Sequence, residues 1–115
     1  MRNLDRGLSG LLILGAIGHT LGVLKYYRGQ PHPLFWALGG TLLILLLAAV
    51  NLLRTDRPSD RGLAWIATAA SAAYILVSIE FGLLMGNILD PRAVIFGLVS
   101  LGLTIFGLRT ALGKA

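Results

Sequence analysis

Two ionisable side chains lie inside long apolar stretches of this sequence, and they are the first candidates for chemistry. His19 falls within residues 7–24, a run without Lys, Arg, Asp or Glu, and Glu80 is the single charge in residues 62–89. Every Asp lies within two residues of an Arg, whereas Glu80 has no such neighbour. Ionisable groups in apolar surroundings pair, take up a proton or line a polar pathway. The sequence therefore predicts a hydrogen bond or ion pair between His19 and Glu80.

The role of this predicted pair has three interpretations. It fixes the register of two helices, or it binds a ligand or carries protons, or no pair forms and Glu80 reaches the outer water. If both helices run outward, His19 and Glu80 lie roughly 4–7 Å beyond the middle of their helices, at 1.5 Å per residue. A shared depth in the outer leaflet is consistent with the first two interpretations.

Other patterns that carry chemistry are weak. His32 lies between two prolines in a predicted loop, which is typical of a solvated histidine, and the chain has no cysteine for a thiolate site. A haem in a bundle needs two axial ligands, and His19 supplies one. No phosphate loop, Gly-x-Ser-x-Gly or His-Glu-x-x-His motif is present. We therefore predict no catalytic residue, metal site or cofactor, and an enzymatic role is doubtful.

The composition places the protein in a membrane. Hydrophobic residues make up 56% of the 115 residues and charged residues only 13%, with a mean hydropathy of +0.79. A soluble domain of this size needs far more polar surface, and a disordered chain is far less apolar. The lipid bilayer is thus the predicted partner. Nucleic acid is not, because the basic residues sit at the ends of apolar runs rather than along one stripe.

Four apolar segments are long enough to cross a bilayer. About 20 residues of helix span a hydrocarbon core of about 30 Å. The predicted spans cover approximately residues 7–26, 33–53, 62–88 and 91–112. Because the connections are short, consecutive helices should be antiparallel neighbours. The predicted fold is an all-α antiparallel four-helix membrane bundle, residues 1–115 forming a single transmembrane domain.

Local turn chemistry agrees with these boundaries. Gly29, Gln30 and Pro31 begin a segment that cannot continue a helix. Pro58-Ser59-Asp60 offers a side chain to cap the third helix, and Asp90-Pro91 reads as a cap followed by proline in the first turn of the fourth.

The distribution of Lys and Arg predicts the topology. Seven lie on the side of the two termini and the second loop, and three lie on the other side. The positive-inside rule then places both termini in the cytoplasm. Aromatic residues at the span ends predict interfacial belts: Tyr26, Tyr27 and Trp36 at the outer interface, and Trp65 at the inner one.

Small residues predict close helix packing, which matters in lipid because the hydrophobic effect does not drive helices together there. Gly15, Gly18 and Gly22 fall within about 60° on the first helix. Gly97, Ser100 and Thr104 share a face of the fourth. These stripes pack inside the chain, or Gly18-x-x-x-Gly22 forms the seam of a homodimer.

Three short motifs resemble a group of small four-span bacterial inner-membrane proteins. The motifs are Gly18-His19-Thr20-Leu21-Gly22, Asn51-Leu52-Leu53-Arg54 and Gly86-Asn87-Ile88-Leu89-Asp90-Pro91-Arg92. The resemblance implies four spans and a bacterial inner-membrane location, and it implies no activity.

Two functions are consistent with the sequence. In the first, the protein is a non-enzymatic accessory or structural subunit of a larger membrane complex or homo-oligomer. In the second, it is a small transporter or ligand-binding bundle that uses a protonatable site of His19 and Glu80 in the outer leaflet.

Overall fold

The computed structural model describes residues 2–113, and within them the chain forms four helices. These are α1 (Arg2–Tyr26), α2 (Pro31–Asp56), α3 (Arg61–Leu84) and α4 (Pro91–Ala111). All four are long and apolar enough to cross a membrane. The predicted all-α four-helix membrane fold is confirmed.

The bundle is built from two hairpins. α1 packs along α2 and α3 packs along α4, and the hairpins meet through α1–α4 and α2–α3 contacts, with α2 touching α4 across the diagonal. No Cα atoms of α1 and α3 approach within 8 Å, so these two helices occupy opposite corners. We call the end that holds Arg2, the 57–60 turn and Ala111 the proximal end. The end that holds the turns at 27–30 and 85–90 is the distal end.

The helix ends follow the predicted local chemistry only in part. α2 begins at Pro31, so His32 lies in its first turn and not in a loop as predicted. The Asp60 carboxylate accepts from the Leu63 amide at 3.0 Å, and the Asp90 carboxylate accepts from the Arg92 amide at 2.9 Å, so both caps are confirmed. α3 ends at Leu84, four residues before the end of the predicted span at 88. Gly86 adopts φ 72°, which favours glycine and stops the helix.

The packed core lies at the proximal end and in the middle of the bundle. Its fully buried side chains include Leu12 of α1, Ile44 of α2 and Leu103 of α4. Residues 31–43 of α2, by contrast, contain no buried side chain. The distal half is therefore the more open part of the bundle.

Large apolar side chains cover the outside of all four helices. Leu14 is 64% exposed, Trp36 75% and Leu84 72%. Such a surface is costly in water, whereas lipid tails solvate it without penalty. The exposed apolar surface is what a protein solvated by lipid requires.

Candidate functional site: a buried arginine network

A completely buried arginine lies near the proximal end of the bundle. Arg54, in the last turn of α2, has no exposed surface. Its Nη1 donates to Asp5 Oδ2 at 2.7 Å and its Nη2 donates to Asp5 Oδ1 at 2.6 Å. Asp5 belongs to the first turns of α1, and its side chain is 9% exposed. The two residues form a bidentate ion pair inside the protein.

The remaining donors of Arg54 are also satisfied. Nε and Nη2 donate to Asn51 Oδ1 at 3.3 and 2.9 Å. Nη1 donates to Thr110 Oγ1 of α4 at 3.3 Å. A guanidinium has five N–H groups, and the five hydrogen bonds to Asp5, Asn51 and Thr110 use all of them. Arg54 therefore has no donor left for a ligand.

Asn51 extends the network to the third helix. Its Nδ2 donates to Ser71 Oγ of α3 at 3.1 Å and to the Leu47 carbonyl at 3.0 Å. Asn51 and Ser71 are both fully buried. We call this set the arginine network, and it has one or more members on each of the four helices: Asp5, Asn51, Arg54, Ser71 and Thr110.

A second set of charges lies outside the network at the same end. Asp56 Oδ1 accepts from Arg6 Nη1 at 2.7 Å and from Arg2 Nη2 at 3.1 Å. These side chains are 40% to 67% exposed. Exposed pairs contribute about 0–1 kcal/mol because water and salt screen them. The exposed pairs support the α1–α2 hairpin much less than the buried one does.

The arginine network is suited to holding helices together. Removing one partner of a buried ion pair costs about 3–5 kcal/mol, because the other charge is left without compensation. Here each charge is compensated and each guanidinium N–H is bonded within the chain. The network fixes the relative register of all four helices and offers no vacant position for a substrate.

The sequence does not predict this network. The predicted second span ends at residue 53, which leaves Arg54 in the following loop, and Asp5 has a neighbouring cation in Arg6. A signal was present in the motif Asn51-Leu52-Leu53-Arg54, where the two polar residues are three apart and share one helix face. Asp5, the partner on α1, lies 49 positions away along the chain and meets Arg54 only through the packing of α1 on α2.

His19 connects the two helices of the first hairpin. Its Nε2 lies 3.0 Å from the Ala37 carbonyl oxygen of α2. A Cβ atom at Gly40 would lie 3.3 Å from Nε2, so glycine there leaves room for the ring. One residue further, Thr20 Oγ1 lies 3.0 Å from Thr41 Oγ1. The His-Thr pair in the predicted motif thus ties α1 to α2.

Glu80 lies elsewhere, and the predicted pair does not form. Its side chain is exposed on α3, and it makes no hydrogen bond or salt bridge to any residue in the range 2–113. His19 is on α1, which occupies the opposite corner of the bundle. The angular positions predicted from each helix separately could not reveal this arrangement.

The predicted glycine stripe of α1 divides into a covered part and an open part. A Cβ at Gly15 would lie 2.6 Å from the Phe96 ring of α4, so this glycine permits close approach. Gly18 and Gly22 have no heavy atom within 4 Å of such a Cβ, and both are exposed. The stripe as a whole is therefore not an internal packing surface.

The small residues of α4 face the bundle interior more consistently. A Cβ at Gly97 would lie 3.7 Å from Ser78 Cβ on α3. Ser100 is fully buried, and within the described part of the chain its Oγ has no hydrogen-bond partner. Thr104, which is half-buried, donates to the Ser100 carbonyl at 2.7 Å. This face lies against α3 and the core.

The aromatic residues predicted for the membrane interfaces lie at the two ends of the bundle. Tyr26 and Tyr27 pack edge-to-face at 4.9 Å at the distal end, where Trp36 is also exposed. Trp65, in the first turns of α3, is 49% exposed near the proximal end. Which end faces the cytoplasm remains a prediction.

Two clefts open on the distal half of the bundle, and both are apolar. One, of about 190 Å³, lies between α1 and α2 and includes Ile17, Leu21 and Leu45. The other, of about 270 Å³, lies between α3 and α4 and includes Ile75, Val94 and Leu98. Neither His19 nor Glu80 lines either cleft. Across residues 2–113, no three His, Asp or Glu residues are grouped as a metal site would require.

Comparison with protein-family models, with curated proteins and with solved structures gives no match for this chain.

Proposed function

We propose that this chain is a non-enzymatic membrane subunit that works by helix packing, within a homo-oligomer or a larger membrane complex. The observation that carries this proposal is that every N–H group of the Arg54 guanidinium is hydrogen-bonded within the chain. A buried arginine in a transmembrane helix is a candidate functional residue by default. In this chain three of its five donors bond Asp5 of α1 and Thr110 of α4, and the other two bond Asn51 of its own helix, so the group serves assembly rather than chemistry.

Several other polar groups at membrane depth are also bonded within the chain, although among the described residues Ser100 Oγ and Glu80 are not. His19 and Thr20 are bonded to α2, and Ser78 donates to the Tyr74 carbonyl of its own helix. The two clefts are lined almost entirely by apolar atoms. The surfaces that remain for function are the outer faces of the helices.

Two glycines on the outer face of α1 favour contact with further helices. Gly18 and Gly22 are exposed, and nothing lies within 4 Å of a Cβ built on them. Within lipid, small residues allow helix backbones to approach closely, and that is a main source of association. Exposed glycines in membrane helices are thus suited to a partner helix.

We further propose a bacterial inner-membrane location with both termini in the cytoplasm. Burial of Arg54 against Asp5 removes one cation from the proximal count of seven and leaves six, against three at the distal end. The bias still follows the positive-inside rule. The proximal cations are Arg2, Arg6, Arg57, Arg61, Arg109 and Lys114, of which Lys114 lies outside the described residues. The distal ones are Lys25, Arg28 and Arg92.

A transporter or ligand-binding function would use His19 and Glu80 as one protonatable site. The structure places them on helices that do not touch, and His19 is bonded to the α2 backbone. The packing function therefore has the stronger support.

Purification in native lipid nanodiscs, followed by native mass spectrometry, tests the proposal. We expect a homo-oligomer or a stoichiometric complex with other membrane subunits. A monomer carrying a small molecule that is lost in Glu80→Gln or His19→Gln, but kept in the control Arg28→Gln, would contradict it. So would a monomer that carries only lipid.

A further inference from the structure

Three charged side chains near the distal end have no partner within residues 2–113: Lys25, Glu80 and Arg28, which lies in the turn after α1. Lys25 lies in the last turn of α1 and Glu80 lies four residues before the end of α3, and both are exposed. A carboxylate on an otherwise apolar membrane face is costly unless a cation or water reaches it. Lys25 and Glu80 are opposite in charge. Each is the last residue of a row of exposed residues that runs along its helix.

The exposed face of α1 that ends at Lys25 has a regular spacing. Its members follow one another at steps of four, three, four, three and four residues, and all are exposed. We call this the α1 face: Gly7, Leu11, Leu14, Gly18, Leu21 and Lys25. The mean step of about 3.5 residues is the repeat of a left-handed coiled coil.

α3 carries a face with the same spacing. Its members are exposed and lie 55 positions after those of the α1 face, one for one. We call this the α3 face: Gly62, Ile66, Ala69, Ala73, Leu76 and Glu80. Both helices run from the proximal to the distal end, so the two faces can be laid together as a parallel pair without inverting either chain.

In that register the two faces complement each other in size and in charge. Gly18 meets Ala73, where two small residues allow close approach of the backbones, and Leu14 meets Ala69. At the distal end Lys25 meets Glu80. The contact would extend from Gly7 to Lys25 on α1, about 27 Å at 1.5 Å per residue.

One chain cannot make this contact by itself, because α1 and α3 occupy opposite corners of the bundle. We propose that the α1 face of one copy packs on the α3 face of the next copy, with Lys25 paired to Glu80. This inference rests on the proposed packing function and names a second copy of this chain as the partner. Because the two contacting faces differ, the contact repeats from copy to copy and forms a closed ring when the rotation closes.

Charge distinguishes this arrangement from a symmetric one. A dimer seam of two α1 helices through Gly18 and Gly22 would bring Lys25 against Lys25, since that residue lies on the same stripe. Like charges placed together in a contact repel each other and disfavour that arrangement. The α1–α3 arrangement instead pairs opposite charges.

Cysteine cross-linking tests the proposal without background, because the chain has no cysteine. Gly18→Cys and Ala73→Cys are introduced in two separately tagged chains that are co-expressed and oxidised in native membranes. We expect a mixed disulfide-linked dimer, and little product when either variant is expressed alone. Gly39→Cys, exposed on α2, replaces Gly18→Cys as the matched control and should give no mixed dimer with Ala73→Cys.

Reversal of the charges at Lys25 and Glu80 tests their pairing directly. Lys25→Glu or Glu80→Lys alone should lower the cross-linked product about tenfold, and the two reversals in one chain should restore it. Arg28→Glu, three residues beyond Lys25, should leave the yield unchanged. An equal loss in Arg28→Glu would overturn the proposed pairing.

The results that would overturn the α1–α3 contact differ from those that would overturn the packing function. Efficient cross-linking of Gly18→Cys with itself would show an α1–α1 seam and overturn the inference. Absence of the mixed dimer in a chain that purifies with a different membrane subunit would overturn the inference and leave the packing function intact. Absence of the mixed dimer in a chain that purifies as a monomer would overturn both.

Discussion

The two ends of this bundle are held together by different means. At the proximal end the arginine network joins all four helices, and hydrogen bonds cross between the hairpins from Arg54 to Thr110 and from Asn51 to Ser71. At the distal end the polar contacts stay within each hairpin, as between His19 and the Ala37 carbonyl. The register of the hairpins is thus fixed at one end, while the other end keeps open faces and clefts.

The difference follows from what lipid does to each kind of contact. Lipid tails solvate apolar side chains as well as the protein does, so apolar contacts between helices gain little from burial alone. A buried charge has no such alternative and requires its partner. The proximal end is therefore the stable part of the fold, and the distal faces are available for other helices.

Removal of one charge of the buried pair should have the largest effect on the stability of the proximal end. Asp5→Asn should lower the free energy of unfolding by about 3–5 kcal/mol, because the Arg54 guanidinium would remain buried without its counter-charge. The shift in the SDS concentration at half-unfolding measures the change. Asp56→Asn, which removes an exposed acceptor of Arg2 and Arg6, is the matched control and should cost about 1 kcal/mol or less.

Replacing both charges separates pairing from packing. The double variant Asp5→Leu with Arg54→Met should recover most of the lost stability, since an apolar pair of similar size removes the need for compensation. A double variant as unstable as Asp5→Asn would contradict the account of the pair.

Close approach of α3 and α4 gives the next largest effect. A Cβ at Gly107 would lie 2.5 Å from Thr68 Oγ1 and 3.3 Å from Thr68 Cα, so Gly107→Val should lower the melting temperature through a cost of about 1–3 kcal/mol. Gly39→Val introduces the same side chain at an open position and should leave the melting temperature nearly unchanged. Equal effects of the two variants would show that close packing is not confined to the covered glycines.

Loss of the His19 contact at the distal end should lower the stability less than loss of the buried ion pair at the proximal end. His19→Leu removes one interhelical hydrogen bond, and such bonds in membrane proteins contribute about 0.6 kcal/mol on average and up to about 1.7 kcal/mol. Thermal unfolding in detergent, with His32→Leu at an exposed position as control, measures the change. A loss of stability as large as that of Asp5→Asn would show that the distal contact stabilises the bundle as much as the buried ion pair does.

The smallest effect is expected from the exposed cap of α4. Hydrogen bonds from the Arg92 side chain and backbone amide hold the pKa of Asp90 below its usual value of 3.8. The stabilisation is present above this value and is lost as the pH falls through the lowered pKa, because protonation removes the charge that accepts these bonds. Asp90→Asn should abolish this small acid dependence, which melting curves between about pH 2 and about pH 5 would detect.

The fold was predictable from the sequence because its main signals are local. Runs of apolar residues between charges predicted the four helices, and Asp60 and Asp90 predicted two of their starts. The predicted end of α3 is wrong because Gly86 stops the helix inside a segment that remains uncharged up to Leu89. Hydropathy measures whether a residue tolerates lipid, and it does not report where a backbone turns.

The candidate site was less predictable because it depends on which helices meet. Four membrane-spanning helices follow from the sequence, since length and polarity are properties of each segment. The contact of Asp5 with Arg54, and the separation of His19 from Glu80, follow from the packing of the helices, because α1 lies beside α2 and opposite α3. A charge in lipid needs a partner, and its identity is set by the order of helices around the bundle rather than by neighbours along the chain.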